Sequence, residues 1–213
     1  MKKRLLSVFI AAVILCLTFT ACKGNKATDG NTDATGNDVS VSETTEKEET
    51  EITDETETKH NVFGEFESVS IDGEKVDYKA FEGKKLTMVN IWATFCSPCI
   101  NEMPDLEKIS KEYESKGFQI VGIPCDVYVS GDGTHDSELL AEAKHIISQT
   151  GVSYLNILPS DSLNEQKLDI VYSVPETVFL DENGNQIGES YIGSRTYDQW
   201  CDIIDGILAE IDK

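Results

Sequence analysis

An α/β domain, with a mixed sheet between layers of helix, is the fold class this chain predicts. Three observations carry it. Two continuous apolar runs, residues 86–93 and 118–124, flank a segment whose apolar side chains recur at helical spacing. Strand, helix and strand in that order require a parallel pair with a right-handed crossover. Later, a third apolar run meets its return strand across Asp181–Glu182–Asn183–Gly184, a hairpin turn that adds an antiparallel edge before a closing helix.

The chain begins Met1–Lys2–Lys3–Arg4, then runs apolar and nearly charge-free over residues 5–19 before small residues lead to Cys22. That length fits a secretory signal rather than a spanning helix, which needs about 20 apolar residues. Phe19–Thr20–Ala21–Cys22 resembles a bacterial lipoprotein box, although Leu is usual where Phe19 stands. The resemblance implies that residues 1–21 are a signal peptide, lost together with Cys16, and that Cys22 is lipidated. The domain would then be extracytoplasmic and anchored to the bacterial cell membrane. An uncleaved anchor, or ordinary cleavage that leaves Cys22 free, are the alternatives.

Residues 22–60 hold almost no large apolar side chain and no aromatic one, with acidic clusters such as Glu46, Glu48, Glu49 and Glu51. Such a stretch cannot bury enough apolar surface to offset the entropy of ordering, which predicts a disordered acidic tether. Its random-coil reach is about 35 Å. A net charge of -21 over 213 residues argues against nucleic acid as a partner and against adsorption to anionic lipid by charge alone.

Residues 61–213 carry the globular pattern. Alternation over residues 66–71 and 75–78 about Asp72–Gly73 predicts an N-terminal β-hairpin extension. The strand over residues 86–93 leads to a helix with Ile100, Met103, Leu106, Ile109 and Tyr113 inward, kinked at Pro104 and ended by Gly117. After the strand at 118–124 come a polar loop over 130–136 and a helix over 137–150 that buries Leu139, Leu140, Ala143, Ile146 and Ile147. A short strand is expected at 156–158, and Ser162 with Glu165 reads as a capping box that opens a short helix. The strand entered at Val174–Pro175 returns over 186–192. Thr196 and Gln199 cap a last helix with Trp200, Ile203, Ile204, Ile207 and Leu208 inward.

Cys96–Ser97–Pro98–Cys99 stands where the first main strand meets its helix. A Cys-x-x-Cys there is a redox site more often than a zinc site or a structural bridge. The unpaired N–H groups and dipole of the helix start stabilise a thiolate at Cys96, and Cys99, one turn on, is close enough to close a disulfide.

The element order, with Trp92–Ala93–Thr94–Phe95–Cys96–Ser97–Pro98–Cys99, Glu102–Met103–Pro104 and Val174–Pro175–Glu176–Thr177, resembles a thioredoxin fold. More narrowly it is similar to the TlpA/ResA-type thiol–disulfide oxidoreductases, extracytoplasmic proteins that are often membrane-anchored. The resemblance implies a protein disulfide reductase in which Cys96 attacks a client disulfide and Cys99 resolves the mixed disulfide. It implies a cis Pro175 against the disulfide, which leaves the Val174 backbone free for a client strand, and a loop shaped by Pro98. Thioredoxin has a buried aspartate where Asn90 stands, and the TlpA/ResA type uses instead a glutamate at the position of Glu102. Glu102 is therefore the expected proton shuttle, against the alternative of a surface carboxylate near a helix start.

Trp92 and Phe95 are expected to form an apolar platform beside the disulfide, with plain core packing the alternative for Trp92. Ser97 adds no charge, which leans the pair toward the reducing side. Glu176 is expected as an exposed charge, and His60, His135 and His145 as surface residues. Cys125 and Cys201, expected at the same end of the fold, can form a bridge, remain buried thiols, or relay electrons from Cys99.

The partners implied are a disulfide-containing protein client, apocytochrome c or an envelope protein among them, and a membrane electron donor of the thiol-reducing transporter type. No cofactor and no metal are expected. A peroxiredoxin is the second enzymatic reading, but Thr94 lies two rather than three residues before Cys96, and Arg195 is the domain's sole arginine. A non-enzymatic module holding zinc through Cys96, Cys99, Cys125 and Cys201 lacks the usual second Cys-x-x-Cys.

Overall fold

The computed structural model describes residues 61–129 and 134–213. The expected signal, Cys22, the tether and His60 lie outside the described residues.

Four strands form the central sheet: β3 (Leu86–Trp92), β4 (Phe118–Pro124), β7 (Glu176–Leu180) and β8 (Gln186–Ile192), in the order β4-β3-β7-β8. β3 runs parallel to β4, with Asn90 opposite Gly122, and antiparallel to β7, with Asn90 opposite Thr177. β8 completes the antiparallel edge. The crossover from β3 to β4 is α1 (Ser97–Tyr113), which runs through Pro104 as one helix, followed by a 3-10 turn that Gly117 closes at φ 79°.

Alternation along β3 sorts side chains between the two faces. Leu86 and Met88 pack with Leu106, Ile109, Trp200 and Ile204, beneath α1 and α4 (Tyr197–Ile211). Val89 and Ile91 face the other way, onto Phe63, Phe66, Phe81 and Leu163 from the N-terminal segment and α3 (Asp161–Gln166). The N-terminal segment contributes β1 (Glu67–Val69) and β2 (Lys75–Asp77), an antiparallel pair. Asn90 has the parity of Met88, so its amide points toward α1.

α2 (Ser137–Thr150) follows a small antiparallel pair, β5 (Tyr128–Val129) and β6 (Thr134–His135), where the sequence suggests only loop. Two further expectations are corrected. Residues 156–158 form no strand; Asn156 and Ile157 make single bridges to Gly122 and Ser70. The approach to Gly122 is so close that a Cβ there would lie 2.1 Å from Asn156 Oδ1, which only glycine avoids. The N-cap of α3 is Ser160 rather than Ser162, because it is the Ser160 hydroxyl that accepts from the Leu163 amide.

Candidate active site

The apolar run of β3 ends at Trp92, and the chain turns through Ala93–Phe95 into α1. Asp126 pins that turn by accepting from both the Thr94 amide (2.9 Å) and the Thr94 hydroxyl. Cys96 is the N-cap of α1, and its Sγ accepts from the Cys99 amide at 3.2 Å. The positive end of the helix is thereby aimed at the first sulfur. Cys96 and Cys99 are joined in a disulfide. Cys96 is 6 % exposed and Cys99 wholly buried, so an incoming group reaches the first sulfur first.

Val174–Pro175 is a cis peptide, and Val174 packs against the cluster that contains both cysteines. Among the described residues the Val174 backbone has no hydrogen-bond partner. Phe95 stands 76 % exposed beside the disulfide. A groove of about 300 Å³ runs between Phe95 and Val174 past Cys125, Leu168 and Tyr172. Tyr172, 85 % exposed, adds large exposed aromatic surface to its wall. Pro98 is exposed in the first turn of α1 and lines a second groove, of about 400 Å³, with Glu102 and Arg195.

Of the two readings left open for Trp92, plain core packing is the one the structure matches. The ring is wholly buried under the disulfide, and its indole N–H donates to Asn156 Oδ1 at 3.1 Å. No face of it is left for a client, because the end of β3 is covered by α1 and by the bridge segment at Asn156. Glu176 departs from its expectation: it is buried and paired with Lys167, Nζ to Oε1 2.5 Å. Neither Lys167 nor its meeting with Glu176 carries any mark in the local sequence.

Glu102 is only 3 % exposed. Its Oε1 accepts from Asn90 Nδ2 at 3.2 Å, while Oε2 accepts from the Arg195 amide at 3.0 Å and from Trp200 Nε1 at 3.1 Å. Burial pushes the carboxyl above its ordinary range, and these neutral donors, with the nearby Arg195 charge, only partly offset that. Asn90 also donates to Thr177 Oγ1 at 3.3 Å, and its own Oδ1 is buried without a partner. The resemblance to the TlpA/ResA type marks Glu102, which stands three residues after Cys99. It gives no sign of the donors from Arg195 and Trp200, which arrive from more than 90 positions away.

Cys125 and Cys201 are free thiols. Cys125 lies at the end of β4, and burial pushes its thiol up to about 11. Cys201, in the first turns of α4, packs instead beside the Tyr113 and Tyr197 hydroxyls. The two thiols pack into different core clusters, Cys125 with those of Phe63 and Trp92 and Cys201 with that of Leu106 and Trp200. His145 is exposed, and His135 is half-buried with Nε2 2.8 Å from the Pro159 carbonyl.

The Redoxin family profile matches residues 23–196. The chain is 34 % identical over 145 residues to the thiol-disulfide oxidoreductase ResA of Oceanobacillus iheyensis, covering 68 % of this chain and 66 % of that one. It is 27 % identical over 149 residues to ResA of Bacillus thuringiensis, covering 68 % and 74 %. A thiol:disulfide interchange protein of the thioredoxin family from Chlorobium tepidum superposes with a TM-score of 0.54 at 26 % identity, over 68 % of this chain and 93 % of that one. With a Cys-x-x-Cys disulfide at the head of α1 and a cis proline entering β7, the chain belongs to the Redoxin family, as a thioredoxin-fold thiol–disulfide oxidoreductase of the ResA type.

Proposed function

We propose that this protein is an extracytoplasmic, membrane-tethered reductase of protein disulfides. The observation that carries the chemistry is the buried Glu102 carboxylate three residues beyond Cys99, on the helix that Cys96 caps. In the reduced protein the Cys96 thiolate attacks one sulfur of the client disulfide. A Cys96–client mixed disulfide forms, and the client's other sulfur leaves as a thiolate. Cys99 gives its proton to Glu102 and attacks Cys96 Sγ. This closes the Cys96–Cys99 bond and expels the second client thiolate, and the proton passes from Glu102 to a departing thiolate. Two electrons and the Cys99 proton reach the client, and the other client thiolate takes its proton from water. A thiol-reducing membrane donor restores the dithiol by the same exchange in reverse.

Phe95 and the unpaired Val174 backbone suit an extended client segment laid across the disulfide. The tether over residues 22–60, lipidated at Cys22, would hold the domain at the membrane. Among the described residues no helix is long and apolar enough to cross one. A peroxidatic reading needs a cation at Cys96. The Arg195 guanidinium instead donates to the Gly193 carbonyl at 2.7 Å and lies over the Tyr191 and Trp200 rings. A four-cysteine metal site is disfavoured by Cys201, which packs in a different core cluster from Cys96 and Cys99.

Direction is tested by redox titration. A midpoint near thioredoxin's, about -270 mV, supports a reductase, whereas one near the strong oxidant's, about -120 mV, reverses the assignment. Roles within the pair are tested by trapping. Cys99→Ser should accumulate a mixed disulfide with a disulfide-containing client peptide, and Cys96→Ser should not.

A further inference from the structure

The Glu102 carboxylate is held from both sides of α1, and the two sides differ. From the sheet, Asn90 offers an amide that can present either a donor or, turned over, its unpartnered Oδ1. From α4 come two donors that cannot reverse, a main-chain N–H and an indole N–H. Both fall on Oε2. The capping box that starts α4 fixes them there: the Thr196 hydroxyl accepts from the Gln199 amide, and Gln199 Oε1 accepts from the Thr196 amide at 3.0 Å. Arg195 immediately precedes that cap and Trp200 follows it by four residues, so one turn of helix aims both at one oxygen. Trp200 is itself wholly buried, clasped by Phe179 and Tyr191.

A proton on Oε2 would set an O–H against two N–H groups. A proton on Oε1 faces Asn90, whose amide can turn to accept it. We propose that Trp200 and the Arg195 main-chain amide are positioning residues for Glu102: they reserve Oε2 as an acceptor, confine the mobile proton to Oε1 on the Asn90 side, and so let α4 set how readily the site takes up a proton. This rests on the shuttle role assigned to Glu102 above.

The other titratable and charged groups facing the carboxylate are the Arg195 guanidinium from the β8–α4 turn and Tyr154 from the segment after α2. The Tyr154 hydroxyl is buried and feels the charges of Glu102 and Glu107. On α1 itself they are Cys99 and Asp105.

The protein has two tryptophans, and the structure makes one the control for the other. Trp200 Nε1–H is bonded to Glu102, whereas Trp92 Nε1–H is bonded to Asn156, which carries no charge. In the unmutated full chain with the Cys96–Cys99 disulfide closed, the 15N–1H resonance of the Trp200 indole should titrate with a single midpoint above the ordinary carboxylate range. The Trp92 resonance should stay flat, and Glu102→Gln should abolish the Trp200 titration. Trp200→Phe should raise the Glu102 midpoint, read by carboxyl 13C NMR, by about one pH unit, tenfold in proton affinity. The isosteric benzothienyl analogue at position 200, which lacks only the N–H, should do the same. A Trp200 resonance that is flat with pH, or that titrates unchanged in Glu102→Gln, overturns the proposal. The shuttle role is separated by the pH profile of Cys96 and Cys99 alkylation. If Glu102→Gln leaves that profile unchanged while Trp200 still follows Glu102 in the unmutated protein, the shuttle reading fails and the positioning of the carboxylate stands.

Discussion

Lys167 and Glu176 make an ion pair, Nζ to Oε1 2.5 Å, with both residues buried and Glu176 following directly on the cis Val174–Pro175 peptide. The pair ties the end of α3 to the start of β7. Between its members the chain loops out through Val171 and Tyr172, which line the groove shared with Phe95.

A buried pair is costly to break from one side, since the surviving charge keeps its desolvation penalty without its partner. Lys167→Met is expected to destabilise the fold by about 3–5 kcal/mol. Lys167→Met combined with Glu176→Leu should recover most of that loss, because two apolar side chains of similar volume leave no orphan charge. Urea unfolding of the three proteins checks it. A single variant within about 1 kcal/mol of the parent would show that water reaches the pair.

Glu102 and Glu107 lie five residues apart on α1 and are driven in opposite directions. Burial raises Glu102, and its donors only partly offset this. Burial also opposes the Glu107 charge, but Lys111 at 2.7 Å and the Ser153 amide and hydroxyl at 2.7 and 2.6 Å outweigh it and hold that carboxyl low. The linkage signs are therefore opposite. The stabilising contribution of Glu102 is fully present below its ordinary value of 4.5 and is lost as pH rises through its higher folded value. That of Glu107 is present above 4.5 and is lost as pH falls through its lower folded value. Urea unfolding from about pH 3 to about pH 8 should show Glu102→Gln gaining on the parent toward neutral pH, and Glu107→Gln falling behind there and catching up in acid. Parallel curves for the two variants would contradict the assignment.

Trp92 and Phe95 separate packing from recognition. Trp92→Ala removes a wholly buried ring and should cost about 3–5 kcal/mol. Phe95→Ala acts on a ring that is 76 % exposed and should change stability by about 0.5 kcal/mol or less while lowering kcat/KM for a protein disulfide. A small chemical disulfide, too short to reach Phe95, should be reduced by Phe95→Ala at the parental rate. Equal losses on both substrates would place the defect at Cys96 instead.

Local order was legible because its causes are local. The period of the apolar side chains marked β3, α1, β4, α2 and α4, and the Thr196–Gln199 box marked the first turn of α4. Cys96 and Cys99 were legible as a redox pair because three residues of helix start suffice to bring them together. Glu102 was marked by the resemblance to the TlpA/ResA type, at its place one turn after Cys99. The features that stayed open, read wrongly, or carried no signal depend on what arrives from elsewhere in the chain. Trp92 is closed off by Asn156, Glu176 is neutralised by Lys167, and Glu102 is held by Arg195 and Trp200. By itself the sequence determined which residues carry the sulfur chemistry and which carboxyl stands one turn away. The tertiary structure alone decided how that carboxyl is solvated and which aromatic faces water, because burial and long-range donors are properties of the packed chain and leave no period or spacing in the sequence.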